Sequence, residues 1–284
     1  MEINQFVDVD EVKREVTDRI SLWSAIRDWQ LKVNDWISAP FESIDTESIT
    51  IEAEKYTKIV IRCERGLPDN SSAVKYLRQK VFEFKETMPI VIALGNKNLR
   101  PYHWKQIKED ILKVDIDMEG GGFSLGTLIE INAIKYQEEI QNVSICASQE
   151  AYLESQLKEI ETIWDSLELK IKMYREGVFI LTELDEIQLQ LDDCLTSINN
   201  VMGNRYIHRL RDKGEKMQKA LNLFADIFDQ WKECQRNWLY LENIFQSEDI
   251  RAQTRNDYQE FEKVNKSISA LMTNVNKNNK VKQF

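Results

Sequence analysis

The chain has 284 residues, of which 42% are hydrophobic and 30% are charged, with 9 glycines and 4 prolines. The apolar fraction excludes a disordered protein, and the length suits one large domain or two of ordinary size. Because glycine and proline build most turns, their scarcity excludes a β-sandwich or a doubly wound α/β fold. All four prolines lie in the first 101 residues, so the rest of the chain is open to long helices. The composition predicts an all-α protein.

The charge balance of 38 basic and 48 acidic residues gives a net charge of −10. A nucleic-acid surface carries net or clustered positive charge, which the body of the chain lacks. The three lysines among the last eleven residues are interpreted as part of a frayed polar end. The N-terminus is unlike a signal peptide, and no stretch nears the roughly 20 apolar residues that span a bilayer. We therefore expect an intracellular protein with no nucleic acid and no membrane partner.

Residues 1–88 carry the pattern of three helices. Apolar residues recur in steps of three and four over residues 12–37, which predicts one amphipathic helix that ends before Pro40. Two further helices follow, each predicted to begin at a capping side chain. Their candidate caps are Thr46 or Ser48 for the second helix and Asn70 or Ser71 for the third. Helices of this length predict an N-terminal three-helix bundle.

Residues 89–284 are predicted to form the main body of helical bundles. Pro89 is interpreted as the start of a short buried turn of helix that Gly95 ends, and Pro101 suits the first turn of the next helix. Further helices are predicted over about 123–131, 134–164, 182–198, 210–245 and 254–275. Thr182 is the predicted cap of the third of these helices.

The hydrophobic period changes to two at residues 167–173, where apolar and charged residues alternate. A turn at residues 175–177 and an apolar run at 178–181 follow, which together predict one β-hairpin between helices. The predicted fold is an elongated rod of antiparallel helical bundles with one small β-hairpin near residues 167–181.

The residue types that carry chemistry lie too far apart to form a recognisable site. Residues 121–126 contain three glycines, but no lysine follows them to reach a phosphate. His103 and His208 are distant in sequence, and no two cysteines lie within one helical turn, so no zinc motif is present. The cysteines are interpreted as reduced, buried thiols: Cys63, Cys146, Cys194 and Cys234. We expect no catalytic, cofactor-binding or metal-binding residue in this segment.

Three blocks of residues nevertheless resemble one family. The first block is Pro89, Asn96, Leu99, Arg100, His103 and Trp104; the second is Glu150 and Trp164; the third is Trp231, Gln235, Trp238, Tyr240, Leu241, Glu242 and Phe245. These signature residues match patterns of dynein heavy chains. The sequences of the first and third blocks resemble axonemal dyneins more than cytoplasmic dyneins. The similarity covers nearly the whole chain, and the N-terminal stretch agrees more loosely than the three blocks.

The resemblance implies the linker region, which joins the dynein tail to a ring of ATPase modules in an ATP-driven minus-end-directed microtubule motor. In that family the linker is a mechanical lever that bends and straightens as nucleotide turns over. The implied partners are the AAA ring of the same heavy chain and the tail with its associated chains, with the microtubule reached only indirectly. ATP and Mg would bind in the ring and not in this segment. The implied location is the cytoplasm and cytoskeleton, in a cilium or axoneme.

A lever needs soft points between stiff rods, and the sequence offers two sets of candidate hinge residues. These are Pro89, Gly95 and Pro101 in one region and Gly120, Gly121 and Gly122 in the other. The competing hypothesis is a static helical scaffold that binds partner subunits. A lever contacts its ring in only one nucleotide state, whereas a scaffold binds its partner regardless of nucleotide.

Overall fold

A computed structural model describes residues 7–67, 71–113 and 123–281 of the chain. The helices are α1 (Val7–Ser38), α2 (Thr46–Gly66), α3 (Ser72–Leu94), α4 (Pro101–Gln106), α5 (Leu125–Glu130), α6 (Gln137–Ser166), α7 (Leu184–Met202), α8 (Arg211–Ile244), α9 (Glu248–Gln253) and α10 (Arg255–Lys277). A π-helix over Ile107–Leu112 continues α4, and short 3-10 helices cover Phe41–Ser43 and Ala133–Tyr136. Strands β1 (Lys170–Arg175) and β2 (Val178–Thr182) pair antiparallel. The predicted all-α fold with one small β-hairpin is confirmed.

The chain divides by its packing into two compact units, Met1–Ser148 and Gln149–Phe284. The division predicted from sequence, between residues 88 and 89, rests on the three-helix pattern of residues 1–88 and stays a prediction. None of the described helices is long and apolar enough to cross a membrane.

The core of the first unit is built by α1, α2 and α3, as the sequence predicts. The indole of Trp29 on α1 packs on Tyr56 of α2, with ring centroids 4.9 Å apart, and on Phe84 of α3, at 5.4 Å. Leu77 and Val81 of α3 are fully buried beside them. Large aromatic side chains shared by all three helices account for the stability of this bundle, since each buries much apolar surface.

The N-terminal turns of α1 differ from the predicted buried stripe. Val12, Val16 and Ile20 are each at least half exposed, and burial on α1 begins at Leu22. Arg62, in the last turns of α2, forms an ion pair with Asp18 at 3.0 Å. The turns before Asp18 therefore extend past the end of α2, and no other described helix of this unit covers their apolar face.

Helix α3 continues through Pro89, which corrects the predicted start of a new helix at that residue. A proline inside a helix removes one hydrogen bond and costs about 3 kcal/mol. The helix persists because Ile90, Val91 and Leu94 are buried, and their burial depends on the helical spacing. Pro89 does disfavour a helix interior, but the packing of the apolar residues that follow it outweighs this local preference.

Two predicted caps are also wrong. Helix α2 is capped by Asp45, whose carboxylate accepts from the backbone N–H of Glu47 at 3.2 Å, and not by Thr46 or Ser48. Thr182 ends strand β2, where its hydroxyl donates to the carbonyl of Lys170 at 3.3 Å. The residue before α7 is Glu183, in the left-handed region at φ 53°. Asn70 and the Gly120, Gly121 and Gly122 loop lie outside the described residues, and α3 begins after Ser71.

The core of the second unit lies along α8. Its buried side chains recur in alternating steps of three and four, which brings them onto one stripe of the helix. The stripe consists of the half-buried Trp231 and of the buried Leu221, Phe224, Phe228, Gln235, Trp238, Glu242 and Phe245. Leu157 of α6 and Leu191 and Ile198 of α7 are fully buried in the cluster at its N-terminal half. Leu241 also fits the apolar spacing of this helix and was expected in the stripe. It is 40% exposed, however, and Glu242 takes the buried position.

Candidate functional site: polar ties made by the signature residues

Asn96 of the first block ties the loop after α3 to helix α6. Its side-chain amide nitrogen shares two N–H groups among three acceptors: the carbonyl of Ser144 at 2.9 Å, the Ser144 hydroxyl at 2.9 Å and the Ser148 hydroxyl at 2.7 Å. Its Oδ1 accepts from the backbone N–H of Asn98 at 3.0 Å. One side chain therefore closes the turn and fastens it to a helix about fifty residues further on. We call this set of contacts the Asn96 tie.

The rest of the first block continues from this turn into α4. His103 is buried, and its Nδ1 accepts from the backbone N–H of Arg100 at 3.2 Å, which fixes the start of the helix. Trp104 packs edge-on against Phe123 at 6.2 Å. Leu99 packs on the core of the unit. In this block, polar side chains satisfy backbone groups at two successive turns.

Gln235 of the third block fastens the β-hairpin to α8. Its Oε1 accepts from the backbone N–H of Leu181 at 2.8 Å, and its Nε2 donates to the Leu181 carbonyl at 3.0 Å. The amide thus takes the place of a neighbouring strand at the outer edge of β2. Since both residues are buried, water cannot replace these bonds, and this signature glutamine holds an otherwise unpaired strand edge.

Glu242 and Arg175 make a second contact between α8 and the hairpin. The carboxylate of Glu242 is almost fully buried, and its Oε1 lies 2.8 Å from Nη2 of Arg175, which is half exposed. Its Oε2 has no hydrogen-bond partner among the described residues. Partial burial and the charge of Glu242 raise the pKa of Tyr174 on β1. We call the contacts of Gln235 and Glu242 with the hairpin the hairpin clamp.

Aromatic signature residues surround the clamp and extend it to α10. Trp238 is buried and donates from Nε1 to Asn265 of α10 at 3.3 Å. Phe245 packs on Phe261 of α10 with ring centroids 5.0 Å apart. The remaining two tryptophans of the signature, Trp164 and Trp231, pack on the main cluster of the second unit.

Two signature residues of the third block lie on the surface of α8. Tyr240 is 67% exposed and Leu241 is 40% exposed, both on the outer side of α8. Glu150 of the second block is only partly buried. The signature is therefore not a set of core positions alone, and its exposed members need an explanation other than packing within this unit.

The cysteines depart in part from the prediction that all are buried. Cys63 and Cys194 are buried, Cys146 is half-buried and Cys234 is exposed on α8. Burial raises the pKa of the Cys63 and Cys194 thiols, which keeps them protonated. The described residues contain no cluster of His, Cys, Asp and Glu that would hold a metal ion.

Sequence reasoning missed the partners of the signature residues. Ser144 and Ser148 lie one helical turn apart on α6, a spacing that places two hydroxyls on one face. Arg175 was predicted to lie in a turn, and no pattern in the sequence marks Asn265 as a partner of Trp238. The only sequence signal for these partners is a polar residue inside an otherwise apolar stripe, since such a residue requires a hydrogen-bond partner.

The fold and these contacts can now be set beside known families. Residues 9–284 match the family described as "Dynein heavy chain, N-terminal region 2". The match covers far more than half of the chain, and the chain belongs to the dynein heavy chain family. The resemblance of the three signature blocks to dynein heavy chains is confirmed.

The similar proteins are axonemal dynein heavy chains, which confirms the predicted axonemal type. The chain is 35% identical over 98% of its length to dynein axonemal heavy chain 6 of Homo sapiens. It is 29% identical over 96% of its length to dynein axonemal heavy chain 2 of Mus musculus, and 25% identical over 98% to dynein axonemal heavy chain 1 of Rattus norvegicus. It spans only 6–7% of the length of these relatives.

Proposed function

We propose that this chain is the mechanical linker segment of an axonemal dynein heavy chain, an ATP-driven minus-end-directed microtubule motor. In this role it amplifies nucleotide-driven changes of the AAA ring of the same heavy chain and hydrolyses no ATP itself. ATP and Mg bind in the ring, the tail and its associated chains lie at the other end, and the microtubule is reached indirectly. The site of action is the axoneme of a cilium. Membership of the family supports this proposal.

The observation that carries the proposal is the bracing of α8. This helix has 34 residues and is therefore about 51 Å long. A long helix without tertiary contacts frays and curves, but Gln235, Trp238 and Glu242 fasten the second half of α8 to the hairpin and to α10. A lever must transmit force without bending along its rods, and the hairpin clamp supplies that stiffness.

The clamp can be tested in the motor that carries this segment, with Gln235→Leu as the variant. We expect microtubule-gliding velocity to fall while ATP turnover by the ring is retained, because the ring still cycles but its movement is transmitted less completely. Arg236→Ala, an exposed neighbour on the same helix, is the matched control. Equal velocity in Gln235→Leu and the control, or a loss of velocity only in proportion to ATP turnover, contradicts the proposal.

The position of the hinge is a second part of the proposal. The region from Pro89 to Pro101 consists of the buried last turn of α3, which ends at Leu94, and the turn at residues 95–100 that the Asn96 tie holds, which leaves this turn as the place where the hinge would act. We expect changes in this region to slow the stroke more than a stiffening of the Gly120, Gly121 and Gly122 loop. Stopped-flow measurement of the stroke in both sets of variants ranks them, and the reverse ranking excludes this hinge.

A further inference from the structure

An apolar groove runs along the outer side of α8 and α10. It has a volume of about 460 Å³. Its floor is formed by the buried rings of Trp238, Phe245 and Phe261, and its walls include Leu241 and Val264, which are 40% and 47% exposed. Apolar side chains of this size gain free energy when a partner covers them.

The shape of the groove suits a helix. Trp238 contacts Asn265, and Phe245 contacts Phe261. Residue numbers therefore increase along α8 in the direction in which they decrease along α10, so the two helices are antiparallel. The α8 residues that line the groove extend from Cys234 to Phe245, a rise of about 16 Å, or three helical turns. Two antiparallel helices with an apolar furrow between them offer the helix-in-groove mode of recognition.

The charge of the rim specifies the partner. Asp257 and Glu260 line the groove on α10, and no lysine or arginine is among the residues that line it. Glu260 is paired with Lys263 at 2.6 Å, whereas Asp257 forms no ion pair among the described residues. A helix with basic residues beside its apolar stripe would therefore be attracted, and an acidic helix would be repelled.

We infer that this groove binds a basic amphipathic helix of another protein chain, with apolar side chains seated between Leu241 and Val264 and a lysine or arginine beside Asp257. This assigns a role to Leu241, the exposed signature residue that the unit's own packing leaves unexplained. The inference does not depend on the lever role, since a static scaffold could use the same groove.

Cys234 provides a reporter at the edge of the groove, because it is exposed while Cys63 and Cys194 are buried. The probe is an amphipathic peptide of about 14 residues with leucines on one face and lysines on the other. The measurement is the alkylation rate of each cysteine, followed by mass spectrometry. At a peptide concentration of ten times Kd we expect alkylation of Cys234 to slow about tenfold. The same peptide with glutamate in place of lysine should give no protection.

Variants of the chain localise the binding. Leu241→Glu and Val264→Lys should each abolish protection of Cys234, and both positions are exposed enough to accept the change without loss of the fold. Leu223→Glu is the matched control, since Leu223 is 60% exposed on the same helix but does not line the groove. Asp257→Lys should weaken binding of the basic peptide and improve binding of the acidic one.

Three results would overturn the inference. These are an unchanged alkylation rate with the basic peptide, equal protection by the acidic peptide, and equal protection in Leu241→Glu and Leu223→Glu, which would place the peptide elsewhere on the acidic surface. Sedimentation velocity without peptide provides a fourth. A dimer that Leu241→Glu dissociates would make a second copy of the chain the occupant and would reject the helix of another protein.

Discussion

The two units of the chain each use a signature amide to hold irregular backbone, but at different depths. Asn96 in the first unit is half-buried and fastens a loop through two serine hydroxyls and one carbonyl. Gln235 in the second unit is 9% exposed and pairs both backbone groups of Leu181. Water can take over part of the first set of bonds and none of the second. We therefore expect burial, rather than the number of hydrogen bonds, to set the contribution of each contact to stability.

The largest effect is expected for Gln235→Leu. The substitution leaves the N–H and the carbonyl of Leu181 buried without partners, and each such group costs about 1–3 kcal/mol. We expect a loss of about 3 kcal/mol in the free energy of unfolding, measured by urea denaturation, and faster hydrogen exchange of the Leu181 amide. Arg236→Ala should change neither quantity. A loss below about 1 kcal/mol would mean that the strand edge is accessible to water.

A smaller loss is expected for Arg175→Met. This variant leaves the buried carboxylate of Glu242 without its cation, which would cost several kcal/mol in a closed site, but Arg175 is half exposed and solvent screens the pair. We expect about 2 kcal/mol, measured in the same way. The double variant with Glu242→Gln should recover part of that loss, because the unpaired charge is gone. Additive losses in the double variant would show that the two side chains are not coupled.

Asn96→Ala should cost about 1–2 kcal/mol, less than Gln235→Leu although the Asn96 amide nitrogen lies within hydrogen-bond distance of three acceptors. The half-buried Ser148 hydroxyl can turn to water once the amide is absent, whereas the buried Ser144 hydroxyl accounts for the part of the cost that remains. Asn98→Ala, at an exposed position in the same turn, is the control. If Asn96→Ala destabilised the protein more than Gln235→Leu, the ranking by burial would be wrong.

The smallest effect concerns the ion pair of Glu52 in the first unit. Burial raises the pKa of Glu52, but Lys32 at 3.2 Å and Lys55 at 3.5 Å outweigh it, and the net pKa is lowered. A lowered pKa contributes stability above the ordinary carboxyl pKa of about 4.5, and that contribution is lost as the pH falls through the lowered value. Lys32→Met should remove roughly 0.5 kcal/mol at pH 7 and nothing at pH 2. Thermal unfolding at the two pH values measures the difference, and an equal loss at both would assign the effect to packing.

The helices and the hairpin could be predicted from sequence where a single periodicity decides the structure. The change of hydrophobic period at residue 167 predicted the hairpin, and the long apolar stripe predicted α8. Prediction failed where the local structure depends on a polar side chain or on a residue that is distant in sequence. The residues beside Pro89 do not indicate that burial of Ile90 and Val91 keeps α3 continuous, and apolar periodicity does not reveal that Glu242 is buried, because its cation comes from another element.

The candidate site was predictable in its residues but not in its contacts. The resemblance singled out Asn96, Gln235 and Glu242, while their partners lie 48 to 54 residues away in the case of the two amides. Such contacts depend on which helix faces are brought together, and one sequence does not contain that information. The exposed stripe at the start of α1 illustrates the same limit, because periodicity predicts an apolar face but not whether another element covers it.

The lever role is tested most directly by a distance in the working motor. One dye is attached to an exposed position of the second unit of this segment and another to the AAA ring, and single-molecule energy transfer is recorded without nucleotide, with ATP and after product release. The proposal predicts two distinct distances between the dyes that alternate with the nucleotide state. In Gln235→Leu, the difference between these two distances should be smaller. One constant distance in every nucleotide state, in a motor that still moves microtubules, would contradict the lever and leave the static scaffold.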